Sequence, residues 1–153
     1  MRGALSDLQR ILGDVDARTA AETDTGVELF DDLVADQAER WGMAVTLAGR
    51  DALAGIDPRL AWELQCVVEE ALTNAGKHGP AKRVGVSVTR TDRTLAITVT
   101  DDGPGIERPL QADGLPANAR GLRGMTERLS ALGGTMTLTT AATGTSVAVE
   151  VPL

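Results

Sequence analysis

Glu69-Glu70-Ala71-Leu72-Thr73-Asn74-Ala75-Gly76-Lys77-His78 closes the longest helical pattern in the 153-residue chain, and its reading decides the fold. The pattern opens at Asp57-Pro58, a capping side chain followed by proline at the first helical position. Leu60, Leu64, Val67, Val68, Ala71, Leu72 and Ala75 recur at helical spacing and form one apolar face. Gly79-Pro80 stops the helix. Beside that face Glu70, Asn74 and Lys77 stand at i, i+4 and i+7, so they share one side. A carboxylate, a carboxamide and an ammonium on one side suit a phosphate held with Mg²⁺. That ion keeps several waters and takes few protein oxygens, of which Asn74 offers one. Lys77 matches phosphate as a point charge. Taken alone, the same trio is also what a solvated helix surface looks like.

Working outward, Phe30, Leu33, Val34, Ala38 and Trp41 mark a helix over 27–41 that Gly42 ends. A short strand over 43–48 and a loop over 49–57 lead into the central helix. Two alternating strands, 83–90 and 94–101, flank the turn Thr91-Asp92-Arg93. Residues 102–120 are rich in Gly, Pro and Ala without periodicity, a length that points to a functional lid. A helix over about 121–132 ends at Gly133-Gly134, and strands 135–141 and 145–151 form a closing hairpin. Helices on one face of a mixed, mostly antiparallel sheet make a two-layer α/β sandwich. Before it, Leu5, Leu8, Ile11 and Leu12 mark a short helix, and 13–26 read as a linker. The division expected is 1–26 as helix remnant plus linker and 27–153 as one domain.

Composition narrows the function. Hydrophobic residues make up 42% and aromatics only 2%, so the core is built from Val, Leu, Ile, Ala and Met. Cys66 is the only cysteine, which rules out an internal disulfide and a cysteine metal cluster. It reads as buried filler on the central helix, and Trp62 and Trp41 read as packing residues. Fifteen basic against 22 acidic residues leave a formal charge of −7, which argues against nucleic acid as a partner. No apolar run reaches the roughly 20 residues of a membrane span, and Met1–Arg10 lacks a signal-peptide core. The expectation is a cytoplasmic segment without membrane contact, compatible with a membrane-anchored parent protein.

Three more stretches carry chemistry. Asp101-Asp102-Gly103-Pro104-Gly105 ends a strand. A carboxylate there can accept from an exocyclic amine, and the glycines admit close backbone approach. As dipeptides, Asp-Gly and Pro-Gly are also plain turn formers. Arg120-Gly121-Leu122-Arg123-Gly124-Met125 opens a helix, where free amides cradle phosphate. It is not a dinucleotide fingerprint, since it follows a long loop rather than a strand. Gly144-Thr145 begins the last strand and, by itself, reads as a hairpin turn.

In this order and spacing the four stretches resemble the ATP-binding fold of gyrase, the heat-shock chaperone, histidine kinases and MutL, known as the Bergerat fold. Glu70-Ala-Leu-Thr-Asn74-Ala-Gly-Lys77-His78 matches the N box of that superfamily. Asp101-Asp-Gly103-Pro-Gly105 matches the first glycine box, and Gly121-Leu-Arg-Gly124-Met125 the second. The continuation Met125–Gly134 is similar to the nitrate-sensor-like histidine kinases with a short lid. The resemblance covers about 27–153.

The resemblance implies ATP and Mg²⁺ as ligands. Asp101 would accept from the adenine amino group, with Thr145 in support, directly or through water. Gly103, Gly105 and Ile106 would line the nucleotide. Asn74 would ligate Mg²⁺, with Lys77 and His78 near the phosphates. The amides of Gly121 and Gly124 would contact phosphate oxygens, and Leu122 and Met125 would belong to the same cofactor-binding stretch. Residues 106–120 would be the ATP lid, without the phenylalanine of longer kinases. Glu70 would be the catalytic acid/base that polarises an acceptor histidine. Glu69 is its alternative, though the spacing to Asn74 favours Glu70.

His78 is the only histidine, and in the N box it is not the phosphoacceptor. The family's acceptor lies on an upstream helical hairpin, of which residues 1–12 resemble the tail. The implied activity is a two-component protein histidine kinase, inactive in autophosphorylation without that hairpin. The hairpin and a response regulator are the implied partners, and the isolated chain is expected to be a monomer. An anti-sigma-factor-type serine kinase switch on the same fold is the alternative, and a nucleotide-binding module without catalysis a third reading.

Overall fold

The computed structural model of the protein describes residues 25–77, 81–107, 110–117 and 119–153. In chain order the elements are α1 (Thr25–Trp41), β1 (Ala44–Ala48), a 3₁₀ turn (Arg50–Leu53), α2 (Pro58–Lys77), β2 (Arg83–Arg90), β3 (Thr94–Asp101), α3 (Arg120–Ala131), β4 (Thr135–Ala141) and β5 (Gly144–Pro152). The elements expected within the described residues are therefore present, and β2, β3 and β4 keep the boundaries read from alternation, while α1 begins at Thr25, inside the stretch expected as linker. The loop over 49–57 differs in containing the 3₁₀ turn, whose last carbonyls are held by Arg90: its Nη1 donates to Ala54 O at 2.9 Å. The expected helix over residues 1–12 lies outside the described residues, as does His78.

The five strands form one sheet in the order β1-β2-β3-β5-β4. β1 and β2 are parallel, and every other neighbouring pair is antiparallel. Parallel neighbours need a crossover, and α2 supplies it. Asp57 caps that helix as its position before proline predicts, its Oδ1 accepting from the amides of Arg59 at 2.9 Å and Leu60 at 3.1 Å. The buried side of α2 is Ala61, Leu64, Val67, Val68, Ala71, Leu72 and Ala75. Ala61 replaces Leu60, which is half-buried, as the first inward residue.

Inward side chains align in rows across the sheet. Val86 pairs with Val99, which pairs with Val147, which pairs with Leu138. The next row is Val88, Ile97, Val149 and Met136. β-Branched residues fit such a pleated surface, so a core with one phenylalanine is close-packed by aliphatic rows. Phe30, on α1, is fully buried.

α1 is locked to α2 through a buried polar contact. Gln37, only 3% exposed, accepts from Trp41 Nε1 at 2.9 Å and from Thr73 Oγ1 at 3.4 Å. The Trp41 indole lies where a side chain at Gly76 would be: a Cβ there would come within 2.3 Å of the ring. Trp41 thus packs at a helix end, as expected, and it explains why the N-box helix carries glycine at 76.

Candidate functional site

The two-residue period of β3 decides where Asp101 points. Leu95, Ile97 and Val99 face the helices and are buried, so Asp101 continues the same face where the apolar rows end. Thr145 on β5 and Thr140 on β4 share that parity with Val147 and Leu138, and they pair with each other. A half-buried polar row of Asp101, Thr145 and Thr140 therefore succeeds two apolar rows, at the edge of the layer between sheet and helices.

Backbone amides fix this row. Asp101 Oδ1 accepts from Gly103 N at 2.9 Å and from Thr145 N at 3.4 Å. The support expected of Thr145 is thus direct but comes from its amide. Its hydroxyl lies 3.4 Å from that of Thr140. Thr140 Oγ1 also accepts from Ile106 N at 2.7 Å, tying the glycine loop to the β4–β5 hairpin. Thr140 was not singled out from the sequence. The available signal was its inward parity, which sets a hydroxyl in a core row.

Two glycines are required by close approach. A Cβ on Gly105 would come within 2.0 Å of Ala141 O, and one on Gly144 within 1.9 Å of Asp101 O. Both also have positive φ, 77° and 144°, which side chains rarely adopt. Gly103 is buried. Asp102 points away from the row and accepts from Lys82 N at 2.8 Å and Arg83 N at 2.9 Å. These bonds, Arg83's foremost, hold its carboxyl below the usual carboxylate range. Asp102 thereby pins the glycine loop to the chain leaving the N box, a role its place in the motif did not reveal.

On α2, which runs unbroken from 58 to 77, Glu70 and Asn74 are half-buried and Lys77 is exposed. Glu70 reaches across to α3: its Oε1 occupies the space that a Cβ on Gly121 would enter, 1.9 Å from that Cβ position. Ala119 stands at the N-cap of α3, and its methyl offers no acceptor to the first amides. α2, by contrast, has its first turn capped by Asp57. Within the second box Leu122 and Met125 are buried under α3, while a Cβ on Gly124 would meet only open space. Leu122 and Met125 are therefore core residues in this structure, and Gly121 and Gly124 are the members at the surface.

The expected lid has local structure of its own. Leu110 and Pro116 form a bridge, and Leu115 is buried. Asp113 Oδ1 accepts from Leu115 N at 3.0 Å. Arg123, on the first turns of α3, pairs with Asp113 and donates to Gln111 Oε1 at 3.0 Å. The Arg123 hydrogen bond, with help from the Leu115 amide, holds the Asp113 carboxyl below its ordinary value. Further along α3, Arg128 pairs with Glu63 of α2. Half-buried Cys66 lies nearby, its thiol pushed up by burial against the opposing pull of Arg128.

Among the described residues no group of three or more His, Cys, Asp or Glu could hold a metal ion. No helix among the described residues is long and apolar enough to cross a membrane.

Comparison with known proteins gives a concordant result. The model of a family described as histidine kinase-, DNA gyrase B-, and HSP90-like ATPase matches residues 61–153. The chain is 33% identical over 122 residues to the sensor histidine kinase NarS of Mycobacterium tuberculosis, covering 79% of this chain and 28% of that protein. It is 38% identical over 86 residues to the signal transduction histidine-protein kinase/phosphatase UhpB of Salmonella typhimurium, covering 56% of this chain and 16% of that one. The chain thus spans less than a third of either relative. Among solved structures, the histidine kinase domain of the Erythrobacter litoralis EL346 blue-light activated histidine kinase superposes with a TM-score of 0.69 at 24% identity, covering 84% of this chain and 60% of that one. That likeness is one of fold.

Proposed function

The chain belongs to the family of histidine kinase-, DNA gyrase B- and HSP90-like ATPases, and from that membership we propose a specific role for it. It binds Mg²⁺-ATP as the catalytic domain of a two-component histidine kinase and donates the γ-phosphate to a histidine on a helical dimerisation hairpin outside this sequence. The observation that carries the reading is the polar row closing the sheet. Asp101 Oδ1 is engaged by two backbone amides, which orients the carboxylate and leaves Oδ2 to accept from the adenine amino group. A carbonyl at that ring position, as in guanine, would meet a carboxylate instead of an acceptor's partner, so ATP is preferred over GTP.

The other residues divide the rest of the work. The glycine loop, laced down through Ile106 N and Thr140, lets main chain lie against the nucleotide. The uncapped first amides of α3, beside Gly121 and Gly124, receive phosphate oxygens. Asn74 would supply an oxygen to Mg²⁺, which would neutralise charge on the phosphates, and Lys77 adds positive charge. Glu70 accepts the proton of the incoming imidazole. Most of the acceleration comes from positioning and charge neutralisation, as in other phosphoryl transfers. A response regulator is the expected receiver of the phosphoryl group. The isolated chain is expected to be a monomer, because the family's dimer contact belongs to the hairpin.

Calorimetric titration with ATP, ADP and GTP, with and without Mg²⁺, tests the binding half. Binding of ATP and ADP with Mg²⁺, and much weaker binding of GTP, is expected; no binding of ATP defeats the reading. Supplying a histidine-bearing hairpin should then yield acid-labile phosphate on it. Acid-stable phosphate on a serine of a partner would point to a regulatory switch instead.

A further inference from the structure

The two glycines of the second box are not equivalent in this structure. A Cβ built on Gly124 meets nothing within 4 Å. A Cβ built on Gly121 comes within 1.9 Å of Glu70 Oε1, 2.8 Å of Glu70 Cδ and 3.5 Å of Glu70 Cγ, and these are its three nearest atoms. Among the described residues no other group crowds that position. Among them, the group that needs the hydrogen at 121 is the Glu70 carboxylate, lying across the first turn of α3.

We infer that Gly121 is a positioning residue for Glu70: it is glycine so that the Glu70 carboxylate can rest against the start of α3, where the transferable phosphate arrives. The inference rests on the reading of Glu70 as the acid/base. The physical logic follows from what a methyl at 121 would displace. At Gly105 and Gly144 a new Cβ strikes main-chain carbonyls, which cannot move without unravelling the sheet edge. At Gly121 it strikes the far end of a side chain with free rotors, so the chain folds and the carboxylate swings away. Gly121 is exposed and helical, and alanine is the better helix former. The substitution therefore harms the position of Glu70 rather than the stability of α3. A group misplaced by about an ångström loses on the order of 100-fold in rate.

The test is a double-mutant cycle of Gly121→Ala and Glu70→Ala with two readouts. The first is thermal unfolding of the 153-residue chain without ligand. In the Glu70→Ala background, Gly121→Ala should raise the midpoint, because the helix gains alanine and meets nothing. In the wild type that gain should be smaller or reversed, because residues in contact couple. Gly124→Ala should show no such coupling. Equal shifts from Gly121→Ala in both backgrounds overturn the inference, whatever the chain does with ATP. The second readout is phosphotransfer to a supplied histidine-bearing hairpin. Gly121→Ala should lower kcat by roughly 10–100-fold while the KM for ATP moves less than about threefold, and it should cost little more once Glu70 is alanine. A rise in KM that persists in Glu70→Ala would mean that the added methyl obstructs the nucleotide itself rather than Glu70, and defeats the inference. If the wild type fails to bind ATP, the functional reading falls, and the unfolding cycle still decides the contact.

Discussion

At the scale of single residues, the site is a matter of which side chain ends a row. Asp101 extends the inward face of β3, so its carboxylate is held by strand geometry and by two amides rather than by a flexible loop. Asp101→Asn keeps an oxygen for Gly103 N and Thr145 N but loses the charge. Its fold should survive, with ATP affinity falling by about 10–100-fold, the worth of a hydrogen bond to a charged group. Unchanged affinity by calorimetry would remove Asp101 from adenine recognition. Gly144 has a different dependence. Its φ of 144° and the Asp101 carbonyl beside it leave no room for a methyl. Gly144→Ala should destabilise the chain by about 2 kcal/mol or more in denaturant unfolding, through backbone strain and a shifted Asp101.

Between elements, two contacts set what is rigid and what can move. Trp41 of α1 fills the space over Gly76 of α2, so α1 braces the end of the N-box helix. Gly76→Ala should push the indole off its seat, cost about 1–3 kcal/mol as other overpacked sites do, and shift the tryptophan emission. The segment expected to be the lid is held more lightly, by Arg123 on Asp113 and Gln111. Asp113 is exposed and its carboxyl is depressed chiefly by the Arg123 hydrogen bond. The folded value lies below the unfolded one, so the contact is intact at neutral pH and is lost as pH falls through the acid range. The protection factor of the Leu115 amide, which donates to Asp113, should therefore fall in the acid range, as pH drops through the depressed value of the folded carboxyl. Arg123→Ala should produce the same exposure of 110–117 at neutral pH, with the sheet amides unaffected.

Across the whole molecule, one sheet and one helical layer share a single aliphatic core, and α2 with α3 roofs it. The Arg128–Glu63 pair ties those two helices above Cys66. Burial raises the thiol of Cys66, so the reactive thiolate is scarce at neutral pH. Alkylation by iodoacetamide at pH 7.5 should be slow in the folded chain and fast in denaturant. Equal rates would contradict the packing of α2 against α3. Much of this architecture was legible in the chain itself. Periods of two and 3.6 residues located the helices and strands, Asp57-Pro58 marked the start of α2, and the motif order identified the family. Those are local signals, written in consecutive residues. The partners across space were not legible. Thr140 beneath Ile106, Asp102 on Lys82 and Arg83, Arg123 on Asp113, and Glu70 against Gly121 all join residues at least ten positions apart, most of them far more. No spacing encodes such contacts, because they exist only once β5 inserts between β3 and β4 and α3 folds back onto α2. The sequence by itself determined the family, the order of the elements and which face of each is apolar. Only the tertiary structure decided that Thr145 reaches Asp101 through its amide, and that of two glycines in one motif Gly121 lies against Glu70 while Gly124 faces open space.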